Sequence, residues 1–177
     1  VNEIGAHEDM LSTLLAAAGE PNVKEELRKG KKVGGMNYKV HLDGYDLGPA
    51  FRGEDEWPRH EFIYWTDDGN VAALRYNDWK VTFLRQDHVG LDVWREPFTA
   101  LRAPTLANLR TDPFELAQDE AIGYGQWYVD HMFAFAPAGA YVGQWLQSLR
   151  EFPPRQKPGS FNLDRVMESI TKAAGDK

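Results

Sequence analysis

Met10, Leu11, Leu14, Leu15 and Ala18 recur at helical spacing and form one apolar stripe. Asp9 stands where an N-cap belongs, Gly19 where a left-handed C′ residue belongs, and Pro21 blocks continuation. A helix is therefore predicted over residues 10–18. A second, short helix follows over Val23–Lys29, then a charged, glycine-rich connection over 30–37. Residues 1–4 read as a strand end or a linker. Residues 38–42 alternate as a short strand closed by the turn chemistry of Asp43-Gly44. Residues 47–51 make one helical turn before Gly53, and 54–59 a polar loop.

The clearest local signal is a hairpin. Residues 62–65 and Val71–Tyr76 alternate or run apolar on either side of Asp68-Gly69, and Asn77-Asp78 turns the chain into a third strand over 79–84. A fourth strand is expected over 106–109, after a long excursion over 86–104 with little regular pattern. From Phe114 the period becomes helical: Tyr124, Trp127, Tyr128, His131 and Phe135, then Ala138, Tyr141, Val142, Trp145, Leu149 and Phe152. Pro137 is expected to kink or split this segment and Pro153-Pro154 to end it. Ser160 or Asn162 can cap a last helix over 163–174. The expected class is α+β: a roughly four-stranded antiparallel sheet with the long C-terminal helix across one face.

Composition narrows the functions. A 42% hydrophobic share over 177 residues supplies a core and argues against disorder. The net charge of −7, with no basic run beyond Arg28-Lys29-Gly30-Lys31-Lys32, excludes a phosphate-tracking nucleic-acid protein. The absence of cysteine removes disulfides, Cys-ligated zinc and thiol nucleophiles. No apolar run approaches the roughly 20 residues of a membrane span. The compartment, periplasmic or cytoplasmic, is left open.

Several stretches then carry a resemblance. His7-Glu8-Asp9-Met10-Leu11-Ser12-Thr13-Leu14-Leu15-Ala16-Ala17-Ala18-Gly19 has the form H-x-D-x-x-P-T-L-L-x-x-A-G, with Ser12 in place of proline. His41-Leu42-Asp43-Gly44-Tyr45-Asp46-Leu47 has the form D-G-x-x-L. Ala73-Leu74-Arg75-Tyr76 with Trp79-Lys80 gives A-L-R-Y-x-x-W-K, and Asn108-Leu109-Arg110-Thr111-Asp112-Pro113-Phe114-Glu115 gives N-L-R-x-D-P-x-E. Glu151-Phe152-Pro153-Pro154-Arg155-Gln156-Lys157-Pro158 completes the series. In this order they resemble the C-terminal region of bacterial arylsulfatases of the sulfatase family.

The resemblance implies that residues 1–35 are the terminal piece of an α/β catalytic domain and 36–177 a C-terminal subdomain. The complete protein would hydrolyse sulfate esters. Its formylglycine nucleophile would come from Cys or Ser in C/S-x-P-x-R, and a calcium ion would stabilise the sulfate oxygens. This chain has no cysteine, and none of its serines begins S-x-P-x-R. No catalytic residue or metal ligand carries over, and the chain alone is expected to be inactive. Its expected partner is the missing N-terminal sulfatase domain. Without that cover, Met10, Leu11, Leu14 and Leu15 should fold back on the aromatic helix or bury themselves in a second copy, and self-association is the expected outcome. The alternative is a stand-alone, non-catalytic binding or interaction module derived from a sulfatase.

Other candidate sites each have a structural reading. Asp67-Asp68-Gly69-Asn70 could attract calcium, but the flanking strands favour a turn. His7, Glu8 and Asp9 form one polar cluster and His41 with Asp43 another, read as a helix start and a turn-fixed loop. His131 reads as a hydrogen-bonded His among aromatics rather than a base. Asp119-Glu120 do not face each other on a helix. Arg75 and Arg110, with Asp112 nearby, could clamp the sheet to a loop or face an anion at the substrate cleft. Trp127, Phe133, Phe135, Tyr141 and Trp145 form helix-to-sheet packing or, alternatively, a ligand groove. Trp57, Trp65 and Trp94 could line a cleft for an aryl group.

Overall fold

The structure is a computed structural model describing residues 3–154. The expected last helix over 163–174, its caps, and the tail match beyond Pro154 lie outside the described residues, as do Val1 and Asn2.

Helix α1 spans His7–Ala17. Its N-cap is Ala6, so Asp9 sits one turn inside, where its Oδ2 accepts the Ala6 N–H at 2.9 Å. Gly19 at φ 99° closes the other end. The Gly19 N–H reaches the Ala16 carbonyl at 3.1 Å and the Glu20 N–H the Leu15 carbonyl at 2.9 Å, the two bonds of a Schellman cap. Helix α2 occupies Val23–Lys29, as expected.

The glycine-rich connection is not a loop. Strands β1 (Lys31–Val33) and β2 (Met36–Tyr38) pair antiparallel around Gly34 and Gly35, both at positive φ. Two adjacent left-handed residues are what a two-residue hairpin requires, and the charged side chains concealed the signal. This hairpin runs across the expected boundary between residues 35 and 36. The strand expected over 38–42 does not form: Tyr38 is the last residue of β2, and 39–42 are irregular. Helix α3 is the single turn Gly48–Phe51.

The main sheet is the expected antiparallel meander, in spatial order β3-β4-β5-β6: Glu61–Trp65, Val71–Tyr76, Trp79–Arg85 and Thr99–Asn108. Helix α4 (Asp92–Arg95) lies in the connection before β6. The fourth strand is longer than the sequence pattern indicated, because Thr99 and Ala100 pair with Arg85 and Leu84 across a bulge between Thr82 and Leu84. A bulge breaks the period-two alternation that marks a strand in sequence. Leu74, Val81 and Leu106 lie side by side on one face and are almost fully buried.

The helical C-terminal part comprises α5 (Ala117–Glu120), α6 (Tyr124–Asp130), a 3-10 turn at Met132–Ala134 and α7 (Phe135–Glu151). The break falls at His131, before Pro137. Pro137 lies in the first turn of α7, where its missing N–H has no intrahelical acceptor to lose. Tyr141 meets Tyr76 at 6.1 Å between ring centroids, and Trp145 meets Trp65 at 4.8 Å. Trp127 stacks on Trp79 at 6.0 Å. Large rings hold α7 off the sheet and leave a gap of about 420 Å³ between Leu74, Val81, Phe133, Pro137 and Tyr141. Among the described residues no helix is long and apolar enough to cross a membrane.

Helix α1 is turned inside out. Asp9 and Ser12 are buried, whereas Met10, Leu11 and Leu14 are exposed, Leu14 to 65%. The stripe does not fold back on the aromatic helix. Each side chain left uncovered forgoes roughly 1.5–3 kcal/mol, and an exposed apolar stripe of this kind favours association. In sedimentation velocity the chain should associate at micromolar concentration, and Leu11→Lys with Leu14→Lys should yield a monomer of unchanged circular dichroism. A monomeric parent chain would contradict this.

Gly44 lies against the α1 backbone, where an added Cβ would sit 2.0 Å from the Glu8 carbonyl oxygen. Neither backbone can yield without breaking the bonds between them, so Gly44→Ala should cost about 3 kcal/mol, the upper end of ordinary overpacking. Urea unfolding checks this value, and a loss under about 0.5 kcal/mol would refute the close approach.

Candidate functional site

Apolar α1 needs a polar partner for its inward side, and the loop of residues 43–47 supplies it. The Ser12 hydroxyl donates to the Gly44 carbonyl at 3.2 Å. The Leu47 N–H donates to Thr13 Oγ1 at 3.0 Å, and that hydroxyl donates to the Tyr45 carbonyl at 3.3 Å. The Tyr45 N–H donates to Asp9 Oδ1 at 2.8 Å.

Arg59 completes the joint. It is 3% exposed and meets Asp9, which is 0% exposed. Its Nε donates to Asp9 Oδ2 at 2.8 Å and its Nη2 to Oδ1 at 2.6 Å, a bidentate pair. Nη2 also lies 2.8 Å from Glu8 Oε1, and Nη1 donates to the Glu61 carbonyl at 3.2 Å. The guanidinium stands 4.9 Å from the Tyr45 ring centroid. Burial alone would raise the Asp9 pKa, but the bonds from Arg59, Tyr45 and Ala6 outweigh it and hold the carboxyl below its ordinary value. Burial likewise opposes the Arg59 charge, and Asp9 overrides it, raising its pKa.

Beside this pair opens a cleft of about 310 Å³. It brings together the two polar clusters that the sequence separates, Glu8 from α1 and His41 with Asp43 from the loop. His41 Nδ1 lies 3.2 Å from Asp43 Oδ1. His7 stays on the surface. The Tyr45 hydroxyl donates to Glu61 Oε1 at 2.7 Å, and Tyr141 from α7 lines the same cleft. Burial first, then Glu61, pushes both phenols well above their ordinary pKa. Lys24 Nζ donates to the Gly44 carbonyl at 3.2 Å and sits 4.8 Å from the Tyr45 ring centroid. Trp65 and Trp145 form an apolar wall. The polar lining of the cleft consists of carboxylates, an imidazole, an ammonium, a guanidinium and phenol hydroxyls.

The remaining candidates lie elsewhere. Arg75 Nε donates to the Asn77 carbonyl at 3.0 Å, and Arg110 is exposed beyond the end of β6. Asp112 accepts the Leu116 and Ala117 N–H groups at 3.1 and 2.9 Å. The tie from sheet to loop is made by Lys80 and Glu115, at 2.7 Å. Residues 67–70 form a turn closed by Thr66 N–H to the Asn70 carbonyl at 2.9 Å. His131 Nδ1 lies 2.6 Å from the Trp127 carbonyl, with the two rings stacked. Asp119 and Glu120 are neighbours at the exposed end of α5. Trp57 donates to the Ile4 carbonyl at 2.6 Å, and Trp94 is exposed on α4.

Sequence reasoning did not single out Arg59, Glu61 or Tyr45. No local pattern pointed to Arg59, because an acid such as Asp9 in a helix's first turn is ordinary without any distant cation. No family model matches the chain, and no curated protein matches it.

Removing one partner leaves the other charge buried alone, so Arg59→Ala or Asp9→Asn should cost about 3–5 kcal/mol. Replacing both, by Arg59→Met with Asp9→Leu, should cost less than either single change. The pH dependence has a definite sign. The Asp9 carboxyl lies below its ordinary value of 3.8 when folded, so its contribution is present above that value and lost as pH falls through the folded pKa. The parent chain should lose stability below pH 3.8 more steeply than Asp9→Asn, as followed by urea titrations between pH 2 and 5.

Proposed function

We propose that this chain is the carboxy-terminal part of an arylsulfatase-like sulfuric-ester hydrolase, completing the fold and walling one side of the substrate cleft. The observation that carries the reading is the helix α1. Its sequence resembles the H-x-D helix of that family, its polar side is bonded to the D-G-x-x-L loop, and its apolar stripe is left outward. A stripe of this kind is what a neighbouring domain of the same protein would cover. The other resembling segments support it by their contacts: Lys80 of the W-K pair bonds Glu115 of N-L-R-x-D-P-x-E.

Formylglycine and calcium would supply the nucleophile and the sulfate-oxygen charge stabilisation in the complete protein. The chain contains no C/S-x-P-x-R from which a formylglycine could be made. Arg75 and Arg110 are the candidates for an anion-facing edge of the cleft. The second reading, a non-catalytic binding module derived from such an enzyme, is favoured by the aromatic and acidic cleft beside Arg59.

The genomic reading frame separates the two. An in-frame upstream C/S-x-P-x-R supports the hydrolase part, and a native start immediately before this segment supports the module. The purified chain should show no turnover of an aryl sulfate and no calcium binding beyond that of a generic acidic protein. Turnover that co-purifies with the chain, after contaminants are excluded, would overturn the reading.

A further inference from the structure

The two edges of the main sheet are treated differently. In β6 the backbone of Leu106 points away from β5, because the flanking pairs Leu109 with Asp78 and Ala107 with Lys80 carry the ladder bonds. Those outward groups are taken by tyrosines of α6. The Tyr124 hydroxyl donates to the Leu106 carbonyl at 2.8 Å and accepts its N–H at 3.2 Å, and the Tyr128 hydroxyl donates to the Pro104 carbonyl at 2.7 Å. That edge is sealed against another strand.

The β3 edge is not. The Asn77 N–H to His60 carbonyl bond at 2.7 Å sets the alternation, so the backbones of Glu61 and Ile63 point away from β4. Arg59 takes the Glu61 carbonyl. The Ile63 N–H and carbonyl point outward from that edge, and Ile63 lines the cleft described above. Both Phe62 and Ile63, from opposite faces of the pleat, line that cleft, which therefore runs along the strand edge between α7 and the α1 joint.

The cleft is acidic. Asp9 neutralises Arg59, which leaves Glu8, Asp43 and Glu61 against Lys24, and Lys24 is already held on the Gly44 carbonyl and the Tyr45 ring. Trp65 and Trp145 add ring faces that attract cations. We propose that the β3 edge is a strand-addition site for a basic extended peptide segment, held by backbone bonds to Ile63 and by lysine or arginine side chains on the acidic, aromatic walls.

The full chain of 177 residues is titrated, by fluorescence anisotropy, with a labelled octapeptide of alternating lysine and threonine. Three controls accompany it: the same peptide with glutamate for lysine, the same peptide N-methylated at alternate backbone amides, and butylammonium as competitor. The lysine peptide should bind and weaken with salt. The glutamate and N-methylated peptides should bind at least about tenfold more weakly, and butylammonium should not compete. Hydrogen exchange at the Ile63 amide should slow on binding. Ile63→Pro should abolish binding with circular dichroism unchanged, since its N–H serves no bond to β4. If that variant fails to fold, the N-methylated peptide decides. Equal binding of the N-methylated peptide, equal binding of the glutamate peptide, competition by butylammonium, or no binding at all would overturn the proposal. So would a dimer in which the Ile63 amide is already protected, since the edge would then be taken by a second copy.

Discussion

Arg59 carries a permanent positive charge into a site 3% exposed and meets a carboxylate from which solvent is excluded. Desolvating two such ions costs several kcal/mol each, and only saturated geometry offsets it. Here the geometry is saturated. Asp9 accepts two bonds from the guanidinium and one each from the Tyr45 and Ala6 backbones. The pair joins three stretches distant in sequence: helix α1, the 43–47 loop and the segment leading into β3. It ties helix α1 and the 43–47 loop to the start of the sheet.

The same device recurs at Glu61, one strand residue further on. Its carboxylate accepts the Tyr45 hydroxyl of the loop, and its charge helps to raise the pKa of Tyr141 on α7. Aromatic rings do the rest of the work between α7 and the sheet, and they hold the helix away rather than drawing it in. This is why no residue of α7 is fully buried. The cleft along β3 is a consequence of both features: polar ties fix its ends, and ring-sized spacers keep it open.

Helix α1 shows how burial can be inverted without loss of local order. Its caps and its stripe are those of an ordinary amphipathic helix. The side that meets the rest of the chain is nevertheless the polar one, because the loop opposite presents carbonyl and N–H groups that need partners. Gly44 permits this contact, since any side chain there would occupy the space of the Glu8 carbonyl. The apolar side is left for a surface that the described residues do not provide.

The α+β class, the meander and its turns were legible in the sequence, because alternation and hairpin residues act over a few positions and need no distant partner. Val71–Tyr76 between Asp68-Gly69 and Asn77-Asp78 had one reading. Where local and distant constraints competed, the sequence by itself determined less. The β1–β2 turn was hidden among charges, the first half of β6 by a bulge that broke its alternation, and the helix break by a proline that a first turn tolerates. The candidate site belongs wholly to the tertiary structure. Asp9 and Arg59 lie 50 positions apart, and His41, Glu61 and Tyr141 come from a loop, a strand and a helix. A buried charge and its partner leave no periodic trace in sequence, since what fixes their meeting is the geometry of the chain between them.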